Sequence, residues 1–163
     1  MFISNKRGKK MKKALLFLAF FCTIAIGANA QNGYKNAIGI RGLMNIDISY
    51  QRYISAQTRM EGTIGFDYYG FSVAGIHQWT FELPINTDGI WQWYAGAGAG
   101  LGSWDRNKYD KGFSLGVLGQ VGIEYTFAGI PLLLSLDYRP GFYFLPEARF
   151  DFRGVALGIR YCF

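Results

Sequence analysis

Val155-Ala156-Leu157-Gly158-Ile159-Arg160-Tyr161-Cys162-Phe163 alternates large apolar side chains with small or polar ones to its last residue. Successive side chains of an extended chain point to opposite faces. Val155, Leu157, Ile159, Tyr161 and Phe163 therefore share one face, and Gly154, Ala156, Gly158, Arg160 and Cys162 the other. An amphipathic helix does not keep that period. The alternation leaves open which solvent each face meets, because a soluble sandwich would turn the same apolar face inward. The rest of the chain has to decide.

Upstream, the two-residue period returns. Leu132, Leu134, Leu136 and Tyr138 oppose Leu133, Ser135, Asp137 and Arg139, and Pro140-Gly141 ends the run. Phe113, Leu115, Val117, Val121, Ile123, Tyr125 and Phe127 oppose Ser114, Gly116, Gln120, Gly122, Glu124 and Thr126. Trp91, Trp93, Ala95, Ala97, Ala99 and Leu101 alternate with Gln92, Tyr94, Gly96, Gly98, Gly100 and Gly102, so glycines line one face. Residues 71–81 show the weakest contrast, with Val73, His77, Trp79 and Phe81 assigned outward against Ser72, Ala74, Ile76, Gln78 and Thr80. In 59–68, Ile64, Phe66 and Tyr68 oppose Glu61, Thr63, Gly65 and Asp67. Ile46, Ile48 and Tyr50 oppose Asp47, Ser49 and Gln51, and Ile38 and Ile40 oppose Gly39 and Arg41. Breaks fall at 42–45, 55–58, 128–131 and around Pro84 and Asn86-Thr87-Asp88-Gly89, where proline cannot donate to a ladder and Asp-Gly favours a turn. The connections at Tyr69-Gly70, 103–112 (with a polar loop over 105–112) and 142–149 are expected together at the opposite end from the turns at 55–58 and 128–131.

The net charge of +6 is misleading. Lys6, Arg7, Lys9, Lys10, Lys12 and Lys13 are the only charged residues before Gln31, and without them the balance is zero. A nucleic-acid partner needs a basic patch on the folded domain, so that class loses its main support. The same segment is basic, then apolar over 14–21, then small at Ala28-Asn29-Ala30, which is the order of a secretory signal. Its apolar run is shorter than the roughly 20 residues of a spanning helix. Residues 1–30 are therefore expected to be removed between Ala30 and Gln31, with Met11 as the suspected true start. Mass spectrometry should then find Gln31 at the amino terminus, and intact Lys12 and Lys13 on the mature protein would refute this. Cys22 falls in that segment, leaving Cys162 alone and precluding an internal disulfide.

Residues 31–163 then hold eight strands with short turns, all-β, with an apolar and a polar face on nearly every strand. Together with export and an aromatic final residue, this predicts an eight-stranded antiparallel up-and-down transmembrane β-barrel, apolar outside and polar inside. Closure leaves no unpaired edge in lipid. An aromatic content of 18% with 22 glycines suits aromatic girdles outside and little bulk inside.

The Ala28-Asn29-Ala30 site, the Gly96-x-Gly98-x-Gly100-x-Gly102 line, Ile130-Pro131 before 134–140 and the final Phe163 resemble the small outer-membrane barrels of the OmpX and OmpA-transmembrane kind. The resemblance spans 31–163 and is architectural. It implies a bacterial outer-membrane location with both termini periplasmic, outer-membrane lipid and lipopolysaccharide as surroundings, and a monomer. It also implies that Ile159, Tyr161 and Phe163 are read by the barrel-assembly machinery. Such barrels include adhesins, anchors, lipid enzymes and narrow channels, so function has to come from the site.

The predicted lumen receives Arg41, Asp47, Glu61, Asp67, Glu124, Asp137, Arg139 and Arg160. Three positive against five negative charges cannot pair one to one, so each arginine should serve several carboxylates, and some acids should protonate. The glycine line keeps a strict two-residue spacing with no following helix, unlike a dinucleotide fingerprint. His77 is the only histidine. Lipid A deacylases of similar size use a His-x-Ser pair, but His77-Gln78-Trp79 has tryptophan in the serine's place. No catalytic, cofactor or metal residue is assigned. The leading expectation is a non-enzymatic membrane protein, structural or surface-binding through its outer loops. Arg106, Lys108, Lys111, Arg149 and Arg153 there are of a kind to bond lipopolysaccharide phosphates, but they are interleaved with acids, which favours ordinary solvated loops. A narrow channel or hydrophobic-solute conduit is the first alternative, and a lipid A-modifying enzyme the second.

Overall fold

The computed structural model describes residues 33–43, 46–67, 70–107, 110–152 and 154–163. Their regular structure is all strand: β1 Asn36–Gly42, β2 Ile46–Ser55, β3 Thr58–Asp67, β4 Gly70–Glu82, β5 Ile90–Asn107, β6 Asp110–Thr126, β7 Leu132–Tyr138, β8 Gly141–Leu145, β9 Arg149–Asp151 and β10 Val155–Cys162. These ten segments make eight staves. β7 and β8 both pair with β6, one above the other, and β9 continues upward from β10 beside β8. Each neighbouring pair is antiparallel, and β1 meets β10 through Ala37↔Cys162 to Gly42↔Leu157, which closes the barrel.

The distribution of side chains is inverted relative to a soluble domain. Ile48, Val117 and Leu157 are each about half exposed on the outside, while Glu61, Gln78 and Arg160 are at most 1% exposed inside. The weak alternation of 71–81 resolves as its parity predicts: Ile76, Gln78 and Thr80 are buried, and Val73, Trp79 and Phe81 are exposed. Rings collect at both ends of the outer wall. At the end holding the chain termini, Phe81 stacks on Trp93 at 4.5 Å, Trp91 meets Tyr125 at 4.9 Å, and Tyr161 stacks on Phe163 at 6.2 Å. Toward the other end stand Phe66, Phe71, Phe142, Phe150 and Phe152. An apolar band between aromatic girdles is the surface of a transmembrane-type β-barrel.

Two expected loops turn out to be mostly strand. β5 runs to Asn107 and β6 begins at Asp110, so 103–107 and 110–112 are paired strand rather than a polar loop. Beyond the apolar band the outer face carries polar residues such as Ser103, so the ladder continues where the alternation of hydrophobicity stops. Likewise 142–149 is not one loop, because β8 pairs with β6 through Val117↔Phe142 and with β9 through Phe142↔Phe150. Pro140 reads as a breaker, yet its carbonyl accepts the Gly119 N–H at 2.9 Å, and the register with β6 resumes beyond it. Proline removes one donor without ending the stave.

The inward glycines of β5 allow strands to approach. A Cβ on Gly98 would lie 2.7 Å from the Ile76 Cα and closer still to the Gly75 carbonyl, both backbone atoms that cannot turn aside. Gly98→Val should therefore lower the unfolding free energy by about 1–3 kcal/mol through overpacking. Urea titration of the protein refolded in vesicles reads this, and an unchanged midpoint would contradict so close an approach.

Candidate functional site

The barrel's interior is its one concentration of charge among the described residues, and the register explains how it forms. Glu61 on β3 stands beside Gln51 on β2 and Ile76 on β4, all pointing inward. Its carboxylate is the hub. Oε1 accepts from Arg160 Nη2 at 2.7 Å and from Ser49 Oγ at 2.7 Å, while Oε2 accepts from Arg139 Nη2 at 3.0 Å and Gln78 Nε2 at 2.6 Å. Arg160 spends its other donors on Ser49 Oγ and Ser135 Oγ, and Arg139 reaches Thr63 Oγ1. A buried carboxylate so surrounded has its lone pairs filled by charge-assisted bonds.

Toward the upper end, Arg41 grips Asp137 through Nε at 2.9 Å and Nη2 at 2.5 Å, and its Nη1 lies 3.5 Å from Asp47. Tyr94 donates its hydroxyl to Asp137 Oδ2 at 3.2 Å. Toward the end of the chain termini, Arg59 makes a fork with Glu124, Nη1 to Oε1 and Nη2 to Oε2, both 2.7 Å. Its Nε donates to Gln78 Oε1, and its Cζ lies 4.7 Å from the Tyr94 ring centroid. Gln78 Nε2 also donates to Gln120 Oε1 at 2.8 Å. The three groups are thus linked: Gln78 joins Arg59 to Glu61, and Tyr94 joins Arg59 to Asp137.

Of the eight lumen charges named from sequence, seven are placed here, and the side chain of Asp67 lies outside the described residues. Sequence reasoning missed Arg59, which is fully buried. Its odd number puts it on the face of Glu61 and Thr63, so strand parity already carried the signal. Arg59 also corrects the count. With Arg41, Arg139 and Arg160 it sets four cations against the five acids read from sequence, so the acid excess narrows from two to one; the side chains of Asp47, Glu61, Glu124 and Asp137 are the described ones.

Other singled-out residues lie apart. His77 sits half-exposed on the outer wall, its Nδ1 3.4 Å from Met60 Sδ and its ring 4.8 Å from that of Trp79. Its cross-strand neighbours, Met60 and Ala97, carry no hydroxyl. Ile159 is exposed outside, and Phe163 exchanges backbone bonds with Asn36 at 2.8 and 2.9 Å, tying the closing seam. Cys162 is buried with Ala37 and Leu133. Arg149 lies 5.6 Å from the Tyr143 ring centroid. Ala30, Gln31, Lys108 and Arg153, and the side chains of Arg106 and Lys111, fall outside the described residues. Comparison with protein-family models, curated proteins and solved structures finds no match to this chain.

Proposed function

We propose that the chain is an integral outer-membrane protein of the OmpX and OmpA-transmembrane kind, whose role is structural or surface-binding rather than catalytic. One observation carries this reading: charges are bonded to one another inside, and the apolar side chains face out between two aromatic girdles. That arrangement is stable where the surroundings are hydrocarbon. In water it would leave the larger apolar surface exposed. The termini then lie on the periplasmic side, and the longer β5–β6 and β8–β9 hairpins project outward. Ile159, Tyr161 and Phe163 lie on the lipid side for the barrel-assembly machinery to read, and the closed barrel needs no second copy to complete its sheet.

The interior argues for a solid barrel. Eight strands leave room for packed side chains, whereas a water channel takes about 16. The linked arginine–carboxylate network occupies that room. Planar-bilayer recordings of the refolded protein should show no steady conductance, and reproducible single-channel steps would promote the conduit instead. Location is tested by separating inner from outer membranes on a density gradient. Protein that leaves the membrane with alkaline carbonate, or bands with the inner membrane, would end this reading.

A further inference from the structure

The apolar outer surface is not level around the barrel. On β2 it runs from Ile46 to Tyr50 before Arg52 interrupts it, about 10 Å along the axis at ~3.3 Å rise and ~40° tilt. On β6, across the barrel, it runs from Phe113 to Tyr125, about 30 Å on the same basis, which exceeds a typical apolar band of about 25 Å. β10 meets β1 only as far as Leu157↔Gly42, while β6, β8 and β9 continue past that level as a flange.

The flange has two chemically distinct faces. Its outer face is a phenylalanine cluster: Phe142 lies 5.0 Å from Phe144 and 4.6 Å from Phe150, and Phe150 stacks on Phe152 at 5.8 Å. Phe144, Phe150 and Phe152 are 49%, 66% and 68% exposed. The opposite face carries Arg149 over Tyr143. The cluster is continuous with the outer wall, because Phe142 stands beside Val117 on β6.

We propose that this outer face is a one-sided lipid contact, with Phe144, Phe150 and Phe152 seated at the boundary between acyl chains and headgroups. This rests on the membrane reading above and adds where the boundary lies. Full immersion in hydrocarbon is disfavoured, since residues 146–148 between β8 and β9 are irregular backbone and carry the exposed Glu147, both of which need water or headgroups. At the boundary, rings meet acyl chains while Glu147 and Arg149 stay hydrated. The barrel therefore leans, or the bilayer rises against β6 and β8 and thins against β1 and β2.

The test uses Phe150→Cys, Phe152→Cys, Arg149→Cys and Leu157→Cys, each labelled with a small fluorophore in protein whose folding is checked by its resistance to cold detergent. Vesicles of phosphatidylcholine and phosphatidylglycerol carry a nitroxide near the top of the acyl chain. The probes at 150 and 152 should lose most of their emission to the nitroxide lipid and resist aqueous iodide, and the probe at 149 should do the reverse. Either cysteine variant suffices if the other does not fold. Iodide quenching at 150 or 152 equal to that at 149, with 157 still quenched by lipid, overturns the one-sided contact and leaves the membrane barrel standing. An aqueous probe at 157 overturns both.

Discussion

Glu61→Ala should remove about 3–5 kcal/mol of unfolding free energy, the usual cost of breaking a buried ion pair from one side. Urea titration of protein refolded in vesicles would read it. Glu61 is 1% exposed, and Arg160, at 0%, lies against it; Arg139 is 9% exposed. Removing the carboxylate leaves two guanidinium groups facing each other across a cavity, with Ser49 and Gln78 each losing a partner. Glu61→Gln separates charge from shape. The amide oxygen still accepts from Ser49 and Arg160, but its NH2 brings donors toward those of Arg139 and Gln78, so its loss should approach that of alanine. A drop of less than about 1 kcal/mol for Glu61→Ala, the range of an exposed pair, would mean the hub is solvated.

The fold was legible because the wall of a transmembrane-type barrel keeps a strict period: outward positions between the girdles are apolar and inward ones small or polar, as Ile38, Ile40, Ile46, Ile48 and Tyr50 show. Legibility failed where that constraint ends. Beyond the apolar band, at 103–107 and 110–112, the ladder persists without a required outer chemistry. At 141–145 the rings of Phe142, Tyr143 and Phe144 favour a strand, but the flanking Pro140 and Pro146 carried the opposite signal. The lumen was legible as a list and not as a graph. Parity places Arg41, Glu61 and Asp137 inward, but Arg41 on Asp137 is a contact that passes over β10, between staves whose relative height depends on tilt and stagger. The arrangement that joins Glu61 to both Arg139 and Arg160 lay beyond the sequence.

Arg59 gives the last expected result and the sharpest check on that graph. Arg59→Met should cost about 3–5 kcal/mol, because it leaves Glu124, itself 1% exposed, charged and without its fork. The second substitution should then help rather than harm. In Arg59→Met with Glu124→Met both charges go, two flexible apolar chains fill the space beside Tyr94, and most of the lost stability should return. Gln78 Oε1 still loses the Arg59 Nε donor, so recovery should fall short by about 1 kcal/mol. The coupling energy from the four proteins, measured by urea titration in the same vesicles, should therefore be large and favourable to the pair. Additive losses in the double variant would show that Arg59 and Glu124 act on separate partners, and the bidentate contact at 2.7 Å would no longer explain why a charged pair sits at the base of the barrel.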